Sequence, residues 1–240
     1  MKELLKIKRS LISISDKTNI IELARFLNKS KIEIISTGNT FKILNKSNIN
    51  AEKIEKITNF PEILDGRVKT LHPNVYGGIL ANLKNKKHLN QIRKHNIKKI
   101  QLIIVNLYPF AEVSKASNTL QKCIENIDIG GPSLIRAAAK NYLSTAIVVD
   151  INDYSKIRND IEEFKGISLE LRKFLAAKAF QRILEYDYEI SKWFNKNISQ
   201  NNKNYFLIAG KKYKILDTVK TLINQQVFLV INLKVVQFFT

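Results

Sequence analysis

Four short runs of apolar, mostly β-branched residues constrain this chain most: Leu11 to Ile14, Ile32 to Ile35, Leu102 to Val105 and Ala146 to Val149. Each is compact enough to be a strand buried on both faces, as in a parallel sheet. Between the first two, Asn19 to Lys29 sets Ile20, Leu23, Ala24 and Leu27 at helical spacing, and Leu83 to His95 reads as a polar helix. Strand, helix and strand in succession predict an α/β fold in which helices cover a parallel central sheet. After Asp153 the pattern turns helical, with Ile157 to Phe164 and then a long stretch from Ser168 to Phe194. The Asn-rich NKNISQNNKN that follows is a linker candidate, and no internal repeat is found.

At 240 residues and 45% hydrophobic content, the chain can bury a core of ordinary size, so one compact domain, or one and a fragment, is expected. No apolar run reaches the roughly 18 to 20 residues that span a bilayer, and the opening MKELLKIKRS lacks the apolar stretch of a signal peptide. A soluble cytoplasmic protein is the expectation. The single cysteine, Cys123, excludes an internal disulfide framework, and TLQKCIENI reads as a helix carrying it as a small apolar filler. The formal net charge of +19 raises nucleic acid and anionic small molecules as partners. The lysines, however, are spread among Asn and Ile, without the aromatic interleaving of an RNA-binding motif or a helix-turn-helix pattern. Lys, Asn and Ile are residues of A/T-rich codons, so base composition accounts for much of the excess.

Ligands of an open parallel sheet collect at the carboxyl ends of its strands. At the first such end stands Ser13-Ile14-Ser15-Asp16-Lys17-Thr18, at the second Ser36-Thr37-Gly38-Asn39-Thr40, and at the third Asn106-Leu107-Tyr108-Pro109. Hydroxyls, a lysine and a glycine ahead of helix N-termini supply what a phosphate monoester needs: backbone N–H donors, the positive end of a helix dipole and a point cation. The competing reading is that Ser15 or Thr18, and Ser36 or Thr40, simply cap helices. FPEILDGRVKTLHP, from Phe60 to Pro73, is expected to be a loop bounded by prolines, holding Arg67, Lys69, two acids and His72. Asp128-Ile129-Gly130-Gly131-Pro132 gives a carboxylate and a flexible turn, with Pro132 suited to the first position of a helix from Ser133 to Asn141. That helix sets Arg136 and Lys140 one turn apart on one face. A lysine near other cations and away from water can exchange its proton near neutral pH, whereas a solvated helix end does not. His72, His88 and His95 show no ligand spacing, so no metal is expected. Neither a Walker motif nor Gly-x-Gly-x-x-Gly is present.

Six of these segments, SISDKTNI, STGNT, FPEILDGRVKTLHP, VNLYPF, ENIDIGGPSLIRAAAKN and KAFQRILEYD, resemble in order and spacing the N-terminal cyclohydrolase domain of the bifunctional AICAR transformylase/IMP cyclohydrolase family. The resemblance covers about residues 9 to 194; DGRVKTLHP and ENIDIGGPSLIRAAAKN are highly specific, while SISDK or STGNT alone is weak. It implies a methylglyoxal-synthase-like three-layer fold followed by C-terminal helices. It also implies a homodimer that closes the purine ring of 5-formamidoimidazole-4-carboxamide ribotide (FAICAR), losing water to give inosine monophosphate (IMP). No metal or organic cofactor, no nucleic acid and no membrane are implied. Carried over by residue, Ser15, Asp16 and Lys17 with Thr37, Gly38, Asn39 and Thr40 hold the nucleotide, chiefly its 5′-phosphate. Arg67, Val68, Lys69 and Thr70 line base and ribose with Val105, Asn106, Asp128 and Ile129, and Lys140 gives and takes the proton. Ring closure sends a weakly nucleophilic carboxamide nitrogen onto a formyl carbon, so the oxygen that gains charge needs stabilising. Lys69, Asn106 and Tyr108 are the candidates for that, with Asp128 orienting or deprotonating the amide and Lys140 as the acid. Two departures stand out: the family's Gly-Gly is Gly38-Asn39 here, with Asn39 expected to tolerate positive φ, and a usual histidine is Tyr76.

The expected organisation is a cyclohydrolase domain over residues 1–200, a linker or start of the transformylase domain over 201–216, and a non-native tail over 217–240. Codons for Arg-Tyr-Gly-Glu-Asn-Pro-His-Gln, which opens the family's second domain, include AGA-TAC-GGT-GAA-AAC-CCT-CAT-CAA. Read one base late, with a following T, they give Asp-Thr-Val-Lys-Thr-Leu-Ile-Asn, which is Asp217 to Asn224. A frameshift after Leu216 is therefore expected, with transformylase activity lost. Three other readings compete: a basic nucleic-acid-binding protein with steeply salt-dependent affinity, a regulatory ligand-binding module on the same fold, which would not need Lys69, Asp128 and Lys140 together, and an inactive truncated gene product.

Overall fold

The computed structural model describes residues 3–198 apart from 109, 117 and 118. The expected linker 201–216 and tail 217–240 lie outside these residues. After a two-residue strand, β1 (Leu4–Leu5), come the five strands of a central sheet: β2 (Arg9–Ile14), β3 (Glu33–Ser36), β4 (Glu52–Lys53), β5 (Leu102–Asn106) and β6 (Ala146–Val148). Their order is β4-β3-β2-β5-β6 and every pairing is parallel. Successive side chains of a strand point to opposite faces. Leu11, Ile35, Ile103 and Ile147 thus share one face, and Ile12, Ile34, Ile104 and Val148 the other. With both faces apolar, both must be covered.

Helices α1 (Ile20–Lys29) and α2 (Gly38–Lys46) follow β2 and β3 and pack on the Ile12 face, joined there by α9 (Tyr154–Phe164). Ile20, Leu23, Ala24 and Leu27 of α1 are all buried, as their spacing predicts; each of the larger three contributes on the order of 1.5–3 kcal/mol. The Leu11 face is covered by α3 (Ile54–Thr58), α4 (Pro73–Leu80), α6 (Phe110–Ala116), α8 (Gly130–Lys140) and α10 (Leu169–Asn197). The result is the three-layer α/β/α arrangement, with α5 (Lys86–Lys94) and α7 (Leu120–Glu125) at its margins. A second, antiparallel ribbon pairs β1 with β7 (Ile167–Ser168), Leu4 opposite Ser168. Arg172, 1% exposed, secures this corner by donating to the carbonyls of Leu143 (2.9 Å), Ser168 (3.3 Å) and Glu3 (3.3 Å).

Several boundaries differ from expectation. α8 starts at Gly130, so Pro132 lies inside the first turn rather than opening it, where its missing N–H is still no loss. The segment expected as one loop contains a 3-10 turn at Leu64–Gly66, and its Pro73 opens α4. That helix, PNVYGGIL, hides its periodicity because Gly78 is where it touches the chain before β5: a β-carbon there would come 2.6 Å from the Lys98 carbonyl.

Candidate active site

The sheet order reverses at β2, with β3 and β4 on one side and β5 and β6 on the other. Such a switch point is where an open α/β sheet has its ligand crevice, and here the loops leaving the carboxyl ends of β2 and β5 occupy it. Asn106, the last residue of β5, spans it: its Oδ1 accepts from the backbone N–H groups of Ser15 (2.5 Å) and Asp16 (3.0 Å), and its Nδ2 donates to the Asp16 carbonyl (2.9 Å). Asn106 therefore fixes the Ser15–Lys17 loop. The Asp16 carboxylate accepts from both the hydroxyl (2.6 Å) and the backbone N–H (2.9 Å) of Thr18, bonds that hold its pKa below the usual carboxylate range. Lys17 Nζ donates to the carbonyls of Ile14 and Ser15. Burial lowers the Lys17 pKa; Asp16 opposes the fall and the nearby Lys69 charge adds to it. Two lysines facing one crevice are each better off with an anion between them.

The hydroxyls after β3 hold the scaffold rather than cap helices. Thr37 Oγ1 donates to Ser13 Oγ (2.9 Å) and Thr40 Oγ1 to the Ile14 carbonyl (3.2 Å). The N-termini of α1 and α2 accordingly have no side-chain cap, and the first turn of α2 has no acidic residue. Its backbone N–H groups remain available for an anion, at the positive end of the dipole. Gly38 carries the positive φ of this turn (+39°), while Asn39 is helical and exposed. The departure from Gly-Gly thus falls where no left-handed residue is needed.

Over this end of the sheet bends the 60–70 loop. A β-bridge between Ile63 and Val68 closes it, and Leu64, Asp65 and Gly66 all take positive φ at its tip. A leucine at φ +54° is strained, and the turn aims Lys69 inward, 3.8 Å from Glu62. Glu62 in turn lies against Gly66 and, through its other oxygen, 3.9 Å from the point where a β-carbon of Gly38 would be. Thr70 is buried beside Gly130 at the start of α8. Arg67 points away, exposed and ion-paired with Glu125, whose hydrogen bond raises its pKa.

Asp128 stands at the N-terminal end of α8. Its carboxylate accepts from the Gly131 N–H (2.9 Å), and its own backbone N–H donates to the Tyr186 hydroxyl (2.7 Å). Burial raises the pKa of Asp128, partly offset by the N–H bonds and by Lys69. A β-carbon on Gly131 would collide with this carboxylate, so glycine is what allows it to fold over the helix end. Tyr76, whose role sequence leaves open, bonds Ser133 through its hydroxyl, and burial raises its pKa. Tyr154, buried at the start of α9 in the core of the Ile12 face, has its pKa pushed up to about 12 by burial and by the charges of Asp16 and Asp150.

The sequence-derived residues are therefore gathered unevenly. Ser15, Asp16, Lys17, Thr37, Gly38, Thr40, Lys69, Thr70, Asn106 and Asp128 converge on the crevice. Val105 is core beneath it, and Tyr108 and Ile129 are largely exposed at its rim, 50% and 63%. Lys140 does not join: it is exposed at the far end of α8, roughly 15 Å from Gly130 at about 1.5 Å per residue. Sequence reasoning did not single out Glu62, which lies in the same FPEILDGRVKTLHP loop as Lys69, or Tyr186, inside KAFQRILEYD, whose hydroxyl accepts from the Asp128 N–H; Tyr154, which the charge of Asp16 reaches, sits in no motif. Among the described residues no group of three or more His, Cys, Asp or Glu side chains could hold a metal, and no helix is long and apolar enough to cross a membrane.

This fold and crevice define an MGS-like domain, the description of the family that matches residues 19–133; residues 138–219 match the family described as AICARFT/IMPCHase bienzyme. The chain is 44% identical over 211 residues to the bifunctional purine biosynthesis protein PurH of Bacillus subtilis (strain 168), covering 88% of this chain and 41% of that protein. PurH of Fusobacterium nucleatum is 45% identical over 206 residues, 86% of this chain and 40% of that protein. The crystal structure of ForH aligns with a TM-score of 0.69 at 30% identity, covering 78% of this chain and 99% of that one. The chain is PurH-like, with MGS-like and AICARFT/IMPCHase domains, and spans about two-fifths of the length of these curated relatives.

Proposed function

We propose that the chain is an IMP cyclohydrolase, closing FAICAR to IMP with loss of water. One observation carries this most: two lysines, an uncapped helix N-terminus and a carboxyl group of raised pKa converge on one crevice at the switch point of the sheet. The α2 N-terminus and Lys17 suit the 5′-phosphate. Lys69, beside Asp128, is placed to stabilise the oxygen that gains charge when the carboxamide nitrogen meets the formyl carbon. Asp128, with its raised pKa, can take the amide proton and return it to the departing hydroxyl, the two halves of a dehydration. Lys140 could take part only from a second copy of the chain, which fits the homodimer reading.

The test supplies FAICAR to the purified full chain and follows IMP by absorbance. Turnover above the uncatalysed rate is expected, falling at least about 100-fold in Asp128→Asn, as for loss of a general acid-base group. No turnover in the parent, with IMP binding retained, would favour the inactive reading.

A further inference from the structure

At the opposite end of the sheet a cavity of about 970 Å³ opens between the segment leading into β2, the start of β3 and the carboxyl-terminal ends of α1 and α9. The six residues of β2, about 20 Å of strand, separate it from Ser15. Its floor is apolar, made by the buried Ile7, Ile32 and Ile161. Its walls are not: the sixteen lining residues include seven cations against three carboxylates. Two of those carboxylates are engaged, Glu33 with Arg9 and Glu22 with Arg158. Among the described residues, Lys6, Lys8, Arg25, Lys29 and Lys31 have no carboxylate within ion-pair distance.

Helix dipoles account for Lys29 and Lys165, which end α1 and α9. They do not account for Lys6, Lys8 or Lys31. Codon bias toward A/T does not either, because it favours asparagine as much as lysine. Lys31 and Lys165 both take a φ of +58°, where asparagine fits the backbone better than lysine. Cations spread around a cavity of this size exceed what one phosphate can touch, but suit a chain of phosphates. A nucleic acid strand would want open aromatic faces for its bases. The one aromatic ring of the lining, Phe26, is already covered by the Arg158 guanidinium at 5.3 Å.

We infer that this groove binds a phosphate chain of the tripolyphosphate type, free or carried by a nucleoside, through lysine and arginine side chains rather than a glycine-rich loop. Calorimetric titration of the full chain tests it, with sodium tripolyphosphate and with ATP, in saturating IMP so that the crevice is filled. One-site binding is expected, weakened about tenfold or more by Lys8→Glu/Lys31→Glu, from two like-charge contacts near the surface, and less than about twofold by the control Lys86→Glu/Lys94→Glu on α5. Circular dichroism checks each fold, and Lys6→Glu, on an exposed residue, serves if the double variant unfolds. Equal binding of both ligands assigns the phosphate chain alone, and binding of ATP only adds a seat for the nucleoside. No binding, binding untouched by the groove variants, or binding of a single-stranded oligonucleotide in place of tripolyphosphate overturns the inference.

Discussion

Replacing Asn106 with alanine removes three hydrogen bonds at once: two from the Ser15 and Asp16 N–H groups and one to the Asp16 carbonyl. At about 0.5–1.5 kcal/mol net for each, the ceiling is about 4.5 kcal/mol. Asp16 is exposed and Ser15 half-buried, so water can re-solvate the freed groups and the expected loss is about 1–3 kcal/mol. In a folded unit of this size that lowers Tm by roughly 3–9 °C. Thermal melts by circular dichroism measure it, with Asn106→Asp as the companion variant: it keeps both accepted bonds but sets a carboxylate against the Asp16 carbonyl. The loop carrying Lys17 would also lose its anchor, so IMP affinity should fall alongside. If Asn106→Ala melts within about 1 °C of the parent and binds IMP equally well, the residue is no clamp and the crevice is held open by something else.

Two further outcomes are expected, one from the structure and one from the sequence. Because burial raises the Asp128 pKa, the native state holds this proton more tightly than the unfolded chain. Its ionisation therefore withdraws stability as pH rises from the unfolded value, about 3.9, through the folded one, and the loss persists above. Asp128→Asn should raise Tm at pH 7, by a few °C at most, with the gain vanishing below about pH 4; an equal gain at both pH values would point to a cause other than charge. For the tail, translating the gene one base earlier after Leu216 should continue with Arg-Tyr-Gly-Glu-Asn-Pro-His-Gln, and any other continuation removes the frameshift reading.

Four strands of the parallel sheet were legible because each is a short apolar run, whereas the edge strand β4, Glu52–Lys53, carries no such signal; α1 was legible because four apolar residues repeat at helical spacing. α2 and α4 were not: α2 buries only Thr40 and Leu44, and α4 meets its neighbour through glycine. At the site, residues that act through their own loop could be placed from sequence, as with Lys17, Gly38 and Lys69. Roles that depend on long-range pairing could not. Thr37 and Thr40 look like caps locally, yet their hydroxyls bond the end of β2. Asn106 looks like a ligand group, yet its amide is spent on the Ser15–Asp16 backbone. Lys140 shares a motif with Asp128, but one helix length separates them.

The ribbon of β1 with β7 bears on how the chain is made. Leu4 and Leu5 leave the ribosome long before their strand partners, Ser168 and Ile167, and Arg172 reaches back to the Glu3 carbonyl. For most of synthesis the N-terminal segment has no place to dock. At about 5–20 residues per second, it waits roughly 10–30 s with Leu5 and Ile7 uncovered. A nascent chain stalled before residue 167 would hold most of the sheet yet lack its closing ribbon, leaving that segment open to chaperones and proteases.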